Sequence, residues 1–212
     1  MKRSALIISN PGRDDEENYC RGVGRDAVNF QEFLMSPIGG LWRSDEIKNL
    51  WRPSKKHVKE AIQEHSEAQY SATIFCGHGH HSRRTDSTIV ELRPGVDMDS
   101  DDLRVGARRH TLILDCCRVI APPQPTVAMD EAVIAKKADT INPSDCRSYY
   151  DVRVGQCAPG VIVAFACCPG ETAGDDDLRG GYYSYNLINA ATAWKNQEIG
   201  NVDTRVWTQS DQ

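Results

Sequence analysis

The sequence predicts an α/β domain in which helices flank a mainly parallel β-sheet of about six strands. Two observations carry this prediction. Short, continuous apolar runs of strand length recur along the chain, and such runs are typical of strands buried on both faces. Segments with helical spacing of apolar residues separate them, an alternation that indicates parallel strands joined by helices. At 212 residues the chain is long enough for one well-buried core.

The elements before residue 70 alternate between strand and helix. The run SALIIS at 4–9 is predicted to be the first buried strand. A helix follows, with Asp26 as its N-terminal cap, and the segment EIKNLW at 46–51 is the second strand. A helix of about three to four turns then begins with Ser54 as its cap.

The elements from residue 70 onward continue the alternation with one interruption. They are a buried strand at 70–77, a hairpin at 86–95, a short acidic-capped helix at 99–107, buried strands at 111–117 and 161–168, and an amphipathic helix at 182–194. The stretch 119–159 is polar and Pro-rich and has no strong period, so we expect it to be irregular. Irregular segments of this length are uncommon inside compact domains and are often functional or disordered.

Composition excludes several classes of function. A formal net charge of -5 and a pI near 5.7 argue against a nucleic-acid partner, because phosphate neutralisation needs a basic face. No apolar run approaches the ~18 residues needed to cross a bilayer. The start MKRSALIISNPG lacks the long apolar stretch of a signal peptide, so we expect a cytoplasmic protein without a membrane partner.

Eight cysteines are a high count for such a chain. Without an export signal they are expected to be reduced, and most of them fit the role of small buried apolar residues. No CxxC spacing is present to support structural zinc, so we expect no metal site.

Two predicted strands end on residues that can perform covalent chemistry. His78 follows the strand 70–77, and Cys117 ends the strand 111–117. Sites in open parallel sheets form beyond the carboxyl ends of the strands, so these two side chains are expected to meet. An imidazole beside a thiol can accept the thiol proton and protonate a leaving amine. Gly79 could bring a bare backbone N–H close to an oxyanion.

These residues resemble the signature of the caspase-like peptidases, a group that includes caspases, paracaspases and metacaspases. CGHG at 76–79 resembles the turn that carries the family's histidine, and DCC at 115–117 resembles its D-x-C turn. A third segment, ACCPGETAGDD followed by GGYYSYNLINA, resembles the later loop and helix of metacaspases, with Glu171-Thr172 in place of Gln-Thr. The N-terminal strand and GRDAVNFQEFL are also similar to the family, so the resemblance covers nearly the whole chain.

The resemblance implies a caspase-like three-layer sandwich and a cysteine endopeptidase. Cys117 would be the nucleophile and His78 its acid–base partner, with the N–H groups of Gly79 and Cys117 as the oxyanion hole. Asp115 and Asp175 would line a pocket for an Arg or Lys residue before the scissile bond.

The resemblance also implies a domain organisation and a mode of regulation. Residues 1–212 would form a single peptidase domain, with a large-subunit-like half at 1–118, a linker at 119–159 and a small-subunit-like half at 160–212. The linker would be the place of self-cleavage, at Lys136, Lys137 or Arg147. The partners would be a protein or peptide substrate and an upstream activating protein, in a signalling, cell-death or defence pathway. The chemistry needs no cofactor, but calcium could act as an activator through the acidic runs 99–102 or 175–177.

Three alternatives remain open at this point. A caspase-like fold could be catalytically inactive and act as an interaction module, although the intact His78 and Cys117 argue against this. A protease with a preference for Asp is the second alternative, and no QACRG segment supports it. A flavodoxin-like phosphate binder is the third, but SNPGRDD after the first strand lacks a Gly-rich loop and carries two carboxylates.

Overall fold

A computed structural model describes residues 1–120 and 143–196. Its principal sheet has five strands: β1 (Arg3–Asn10), β2 (Ile47–Trp51), β3 (Tyr70–Gly77), β7 (Arg109–Asp115) and β8 (Gly160–Phe165). All neighbouring strands are parallel, in the order β2-β1-β3-β7-β8. The predicted α/β class with a mainly parallel sheet is therefore confirmed, with five strands in the principal sheet of the described residues rather than about six.

Four helices and a small antiparallel sheet complete the described fold. The helices are α1 (Val23–Met35), α2 (Lys55–Ser66), α3 (Pro143–Gln156) and α4 (Tyr182–Asn196). The small sheet contains β4 (Gly79–Ser82), β5 (Ser87–Arg93) and β6 (Val96–Asp99), and a two-residue ladder joins β9 (Asp175–Asp176) to β10 (Gly180–Gly181). Within these ranges, no helix combines the length and the apolar character that a membrane span requires.

Alternating side chains of the central strands fill two separate cores. Leu6 and Ile8 of β1 face a core that includes α2 and apolar residues of the small antiparallel sheet. Ala5 and Ile7 face the opposite core, which includes α1 and is joined by Leu187 of α4. Burial on both faces explains why these strands appear in the sequence as unbroken apolar runs. The result is a three-layer sandwich, as predicted.

The predicted N-terminal cap is correct for helix α2 and wrong for helix α1. Ser54 caps α2 as predicted, because its hydroxyl accepts a hydrogen bond from the N–H of His57 at 3.2 Å. The predicted cap of α1 is wrong: α1 begins at Val23 with Gly22 in the cap position, and Asp26 lies within the first turn and is buried.

Part of the stretch 119–159 is helical, which corrects the expectation that it is irregular. Helix α3 is attached to the domain mainly by polar contacts: Arg3 pairs with Asp151 at 2.6 Å, and Arg147 pairs with Glu46 at 2.6 Å. Tyr149 and Val152 are exposed on the same helix. Because the helix has no continuous apolar stripe, its sequence lacks the period from which a helix is normally predicted.

Candidate active site

The strand register brings the predicted histidine and cysteine to the same edge of the sheet. Cys76 of β3 is paired with Asp115 of β7. His78 and Cys117 each follow two residues after that pair, on adjacent parallel strands. The sheet therefore presents both side chains beyond its carboxyl edge, where sites of such folds form.

The thiol of Cys117 is half-buried and bonded to the neighbouring loop. Its Sγ accepts a hydrogen bond from the N–H of Ala173 at 3.3 Å and lies 3.4 Å from the carbonyl oxygen of the same residue. Burial raises the pKa of this thiol, and the nearby carboxylates of Asp115 and Asp175 raise it further, because both disfavour a thiolate. Across the described ranges, no hydrogen bond joins Cys117 to His78.

The thiol that contacts His78 is that of Cys20, a residue that the sequence did not single out. Cys20 Sγ lies 3.6 Å from Nε2 and 3.7 Å from Nδ1 of the ring. The ring is also close to Gly12, where a Cβ atom would lie 2.6 Å from Nε2. Two residues of the loop between β1 and α1 thus lie close to the histidine. Its charged, turn-rich sequence gave no signal for either contact.

Three buried or half-buried carboxylates converge beside Cys117. The predicted pair, Asp115 and Asp175, is joined by Asp26, which the sequence placed in a helix cap. All three border one small void of about 30 Å³, together with Cys20 and Cys117. That volume is about that of one water molecule.

Each carboxylate is held by a hydrogen bond from a residue that is distant in the sequence. Asp26 accepts from the N–H of Gly181 at 2.8 Å, and Asp175 accepts from the N–H of Gly22 at 2.6 Å. Asp115 accepts from both the N–H, at 3.0 Å, and the hydroxyl of Ser184. Ser184 is fully buried and was also missed, since a serine in an amphipathic helix carries no distinctive pattern.

The electrostatics of the void disfavour negative charge. Burial, together with the fields of Asp115 and Asp175, raises the pKa of Asp26 to about 7 against the opposing hydrogen bond from Gly181. Burial likewise raises the pKa of Asp115, and its bonds to Ser184 only partly offset this. Carboxylates in this arrangement favour a cation as their occupant, because a cation relieves the repulsion and replaces the lost hydration.

Arg118, directly after the candidate nucleophile, ties the loop after β7 to the loop after β8. Its guanidinium donates to the hydroxyl of Thr88 at 2.9 Å and lies 4.0 Å from the centre of the Phe165 ring. Its backbone N–H donates to the carbonyl of Glu171 at 3.0 Å, and its carbonyl accepts from Gly170 at 2.7 Å. These contacts fix the backbone that carries Cys117.

Gly79, the other predicted oxyanion residue, lies against this loop. A Cβ atom at Gly79 would be 2.7 Å from the Sγ of Cys116, so only glycine fits there without displacement. Because Gly79 has no side chain, the His78-Gly79 turn lies in direct contact with the Cys116-Cys117 turn.

The predicted self-cleavage residues divide between described and undescribed parts of the chain. Lys136 and Lys137 lie outside the described residues. Arg147 lies in α3, where its guanidinium donates to both carboxylate oxygens of Glu46, at 2.9 and 2.6 Å. Cleavage after Arg147 would require the helix to unfold and this pair to break.

Residues of the acidic runs considered for calcium accept hydrogen bonds from within the chain. Asp99 caps a short 3₁₀ helix and accepts from the hydroxyl of Ser87, and Asp176 accepts from two backbone N–H groups. In the part of the chain that the structure describes, no three His, Cys, Asp or Glu side chains are grouped so as to hold a metal ion.

Comparison with known proteins agrees with the geometry. The model of the Caspase domain family matches residues 2–208. The crystal structure of caspase-1 from Spodoptera frugiperda is similar with a TM-score of 0.53 and 12% sequence identity, covering 89% of this chain and 68% of that one. A structure of pro-sf-caspase-1 gives a TM-score of 0.49 at 12% identity, covering 89% of this chain and 69% of that one. No curated protein sequence matches the chain. The chain therefore belongs to the caspase domain family and is a cysteine-type endopeptidase.

Proposed function

We propose that this domain cleaves proteins after Arg or Lys, with Cys117 as nucleophile and His78 as general acid–base. The observation that carries the specificity is the convergence of Asp26, Asp115 and Asp175 on one void beside Cys117. No Arg or Lys is among the described residues that border this void, so an acidic substrate residue would find no counter-charge there.

The proposed reaction uses groups of this chain only. His78 accepts the thiol proton of Cys117 while the sulfur attacks the peptide carbonyl, and the N–H groups of Gly79 and Cys117 stabilise the oxyanion. The imidazolium then protonates the leaving amine, and a thioester on Cys117 remains. Water, deprotonated by His78, hydrolyses the thioester and restores the thiol.

The bound substrate cation would also assist the nucleophile. Burial raises the pKa of Cys117, and the fields of Asp115 and Asp175 add to this rise. A guanidinium or ammonium beside them offsets their field, and the thiolate becomes easier to form. A basic residue would therefore raise the rate of acylation as well as the affinity.

The contacts of the proposed dyad support a zymogen-like state. His78 contacts Cys20 rather than Cys117, and the void beside Cys117 has a volume of only about 30 Å³. We propose that an upstream protein or self-cleavage opens the loops around the void, with Lys136–Lys137 as the favoured cut. Intact masses of the wild type and of Cys117→Ala after incubation test this step. Identical single masses would contradict it.

The specificity is tested with fluorogenic peptides that end in Arg, Lys or Asp, assayed with and without calcium. We expect wild type to cleave the Arg and Lys peptides, Cys117→Ala and His78→Ala to be inactive, and Asp175→Asn to lose mainly the basic preference. Cys168→Ala is the matched control, because Cys168 is an exposed free thiol. Cleavage of the Asp peptide alone would refute the basic pocket. A folded wild type with no turnover after linker cleavage would favour the interaction module.

A further inference from the structure

Cys20 has no role in the proposed hydrolysis, yet it lies at the centre of the site. Its thiol contacts both ring nitrogens of His78, at 3.6 and 3.7 Å. It also borders, together with Cys117, the void of about 30 Å³. The field of the Cys117 thiol also reaches Cys20, so folding brings the two cysteines to one pocket although 96 residues separate them in the sequence.

The surroundings make Cys20 a poor spontaneous nucleophile. Burial, followed by the carboxylates of Asp175 and Asp115, raises the pKa of Cys20 to about 12. The thiol therefore stays protonated unless a base removes its proton directly. His78 is in contact with it and is such a base.

We propose that Cys20 is a site of oxidative modification and forms a reversible disulfide with Cys117 when the domain meets a peroxide. His78 accepts the thiol proton of Cys20, and the sulfur attacks a peroxide oxygen, giving a sulfenic acid and one molecule of water or alcohol. The sulfur of Cys117 then displaces hydroxide from the sulfenic sulfur, and a second water leaves with the Cys117 proton. Two thiols have lost two electrons, and these reduce the peroxide bond.

The disulfide would inactivate the enzyme, because it contains the sulfur of Cys117, the proposed nucleophile. This consequence rests on the proposed function. The bond would also fix the loop between β1 and α1 over the carboxylates. A thiol reductant would reverse both effects, and the partner thiol would protect Cys117 from oxidation to the sulfinic acid, which is not reversed by thiols.

The connectivity is tested on the full chain by treatment with hydrogen peroxide, blocking of free thiols, and peptide mass mapping without reduction. We expect a Cys20–Cys117 cross-linked peptide, an intact mass lower by two hydrogens, and loss of both changes on reduction. Cys20→Ser should abolish the cross-link. Cys167→Ser is the matched control and should keep it, because Cys167 is a second half-buried thiol that the field of Cys117 reaches. A Cys117–Cys167 link, or Cys117 oxidised to sulfinic acid while Cys20 stays free, would overturn the proposal.

The activity measurement separates this proposal from the proposed function. Wild type should lose cleavage of its best peptide after peroxide and recover most of it on reduction, whereas Cys20→Ser should lose it without recovery. The mass mapping does not depend on turnover. If the cross-link is found in a domain that cleaves none of the peptides, only the proposed function fails. An active protease whose Cys20 thiol stays free after peroxide treatment would refute the disulfide alone.

Discussion

At the scale of single residues, the buried carboxylate of Asp26 makes the stability of the fold depend on pH. The sequence placed it in a helix cap, but the structure buries it beside two other carboxylates. Its pKa is raised from 3.8 to about 7, chiefly by burial. The folded state therefore holds the proton more tightly than the unfolded chain does. Stability is unaffected below pH ~4 and is lost progressively as pH rises to about 7, by up to ~4 kcal/mol.

Asp26→Asn should therefore stabilise the domain in a pH-dependent way. The amide keeps an acceptor for the N–H of Gly181 and removes the charge. We expect the difference in melting temperature between variant and wild type to grow from pH 5 to pH 8, together with weaker binding of Arg peptides. Asp102→Asn, at an exposed carboxylate, is the control. An equal shift at both pH values would contradict this account.

Gly79 gives a second prediction at this scale. In Gly79→Ala, the new methyl group would lie 2.7 Å from Cys116 Sγ and 3.0 Å from the carbonyl oxygen of Ile89. We expect a loss of about 1–3 kcal/mol in the free energy of unfolding, measured with urea, and a large fall in turnover. Gly160→Ala is the control, because nothing lies within 4 Å of a Cβ there. A Gly79→Ala protein as stable as the control variant would show that the Cys116 turn can move freely.

At the scale of elements, the sequence predicted the buried strands, the amphipathic helices and the reactive residues that end two of the strands. The buried strands and the capped helix α2 follow from runs and spacings within a few neighbouring residues. His78 and Cys117 were identified because they end adjacent strands. Cys20 and Ser184 could not be predicted, since their importance comes from loops that meet only after folding. Helix α3 was missed because ion pairs rather than an apolar stripe hold it.

The ion pair between Arg147 and Glu46 should account for a measurable part of the attachment of α3. Burial alone would raise the pKa of Glu46, but its hydrogen bonds with Arg147 and Arg43 outweigh burial and lower it. A carboxylate with a lowered pKa stabilises the fold above its unfolded pKa of 4.5, and this contribution is lost as pH falls through the folded value.

A double-mutant cycle with Glu46→Gln and Arg147→Met tests this pair. We expect a coupling energy of about 1–3 kcal/mol in urea unfolding at pH 7, falling as the pH is lowered below 4.5. The exposed pair Lys48–Glu64 is the comparison and should couple by less than ~1 kcal/mol. Equal coupling for both pairs, or no change with pH, would argue against an electrostatic attachment of α3.

At the scale of the whole molecule, the principal sheet joins the part of the chain before residue 121 to the part after residue 142, which correspond to the two predicted halves. Strand β8 pairs with β7 over six register positions, and α3 is bonded to Arg3 and Glu46 of the first half. Cutting the linker therefore should not separate the halves. We expect residues 1–136, carrying a purification tag, to retain residues 137–212 when the two chains are co-expressed. The double variant Arg3→Ala, Glu46→Ala should retain less. Complete separation of the unmodified halves would show that the continuous chain is needed.

The pairing of Cys76 with Asp115 has a further consequence for how the site can vary. Each residue of a parallel strand advances about 3.3 Å, and successive side chains point to opposite faces. A slip of one residue between β3 and β7 would therefore offset His78 from Cys117 by that distance and would exchange the two faces of the slipped strand. Insertions and deletions inside these two strands should consequently be far less tolerated than in the loops around the pocket. The accuracy of the proposed chemistry is set by the packing of the core, at a distance from the reacting atoms.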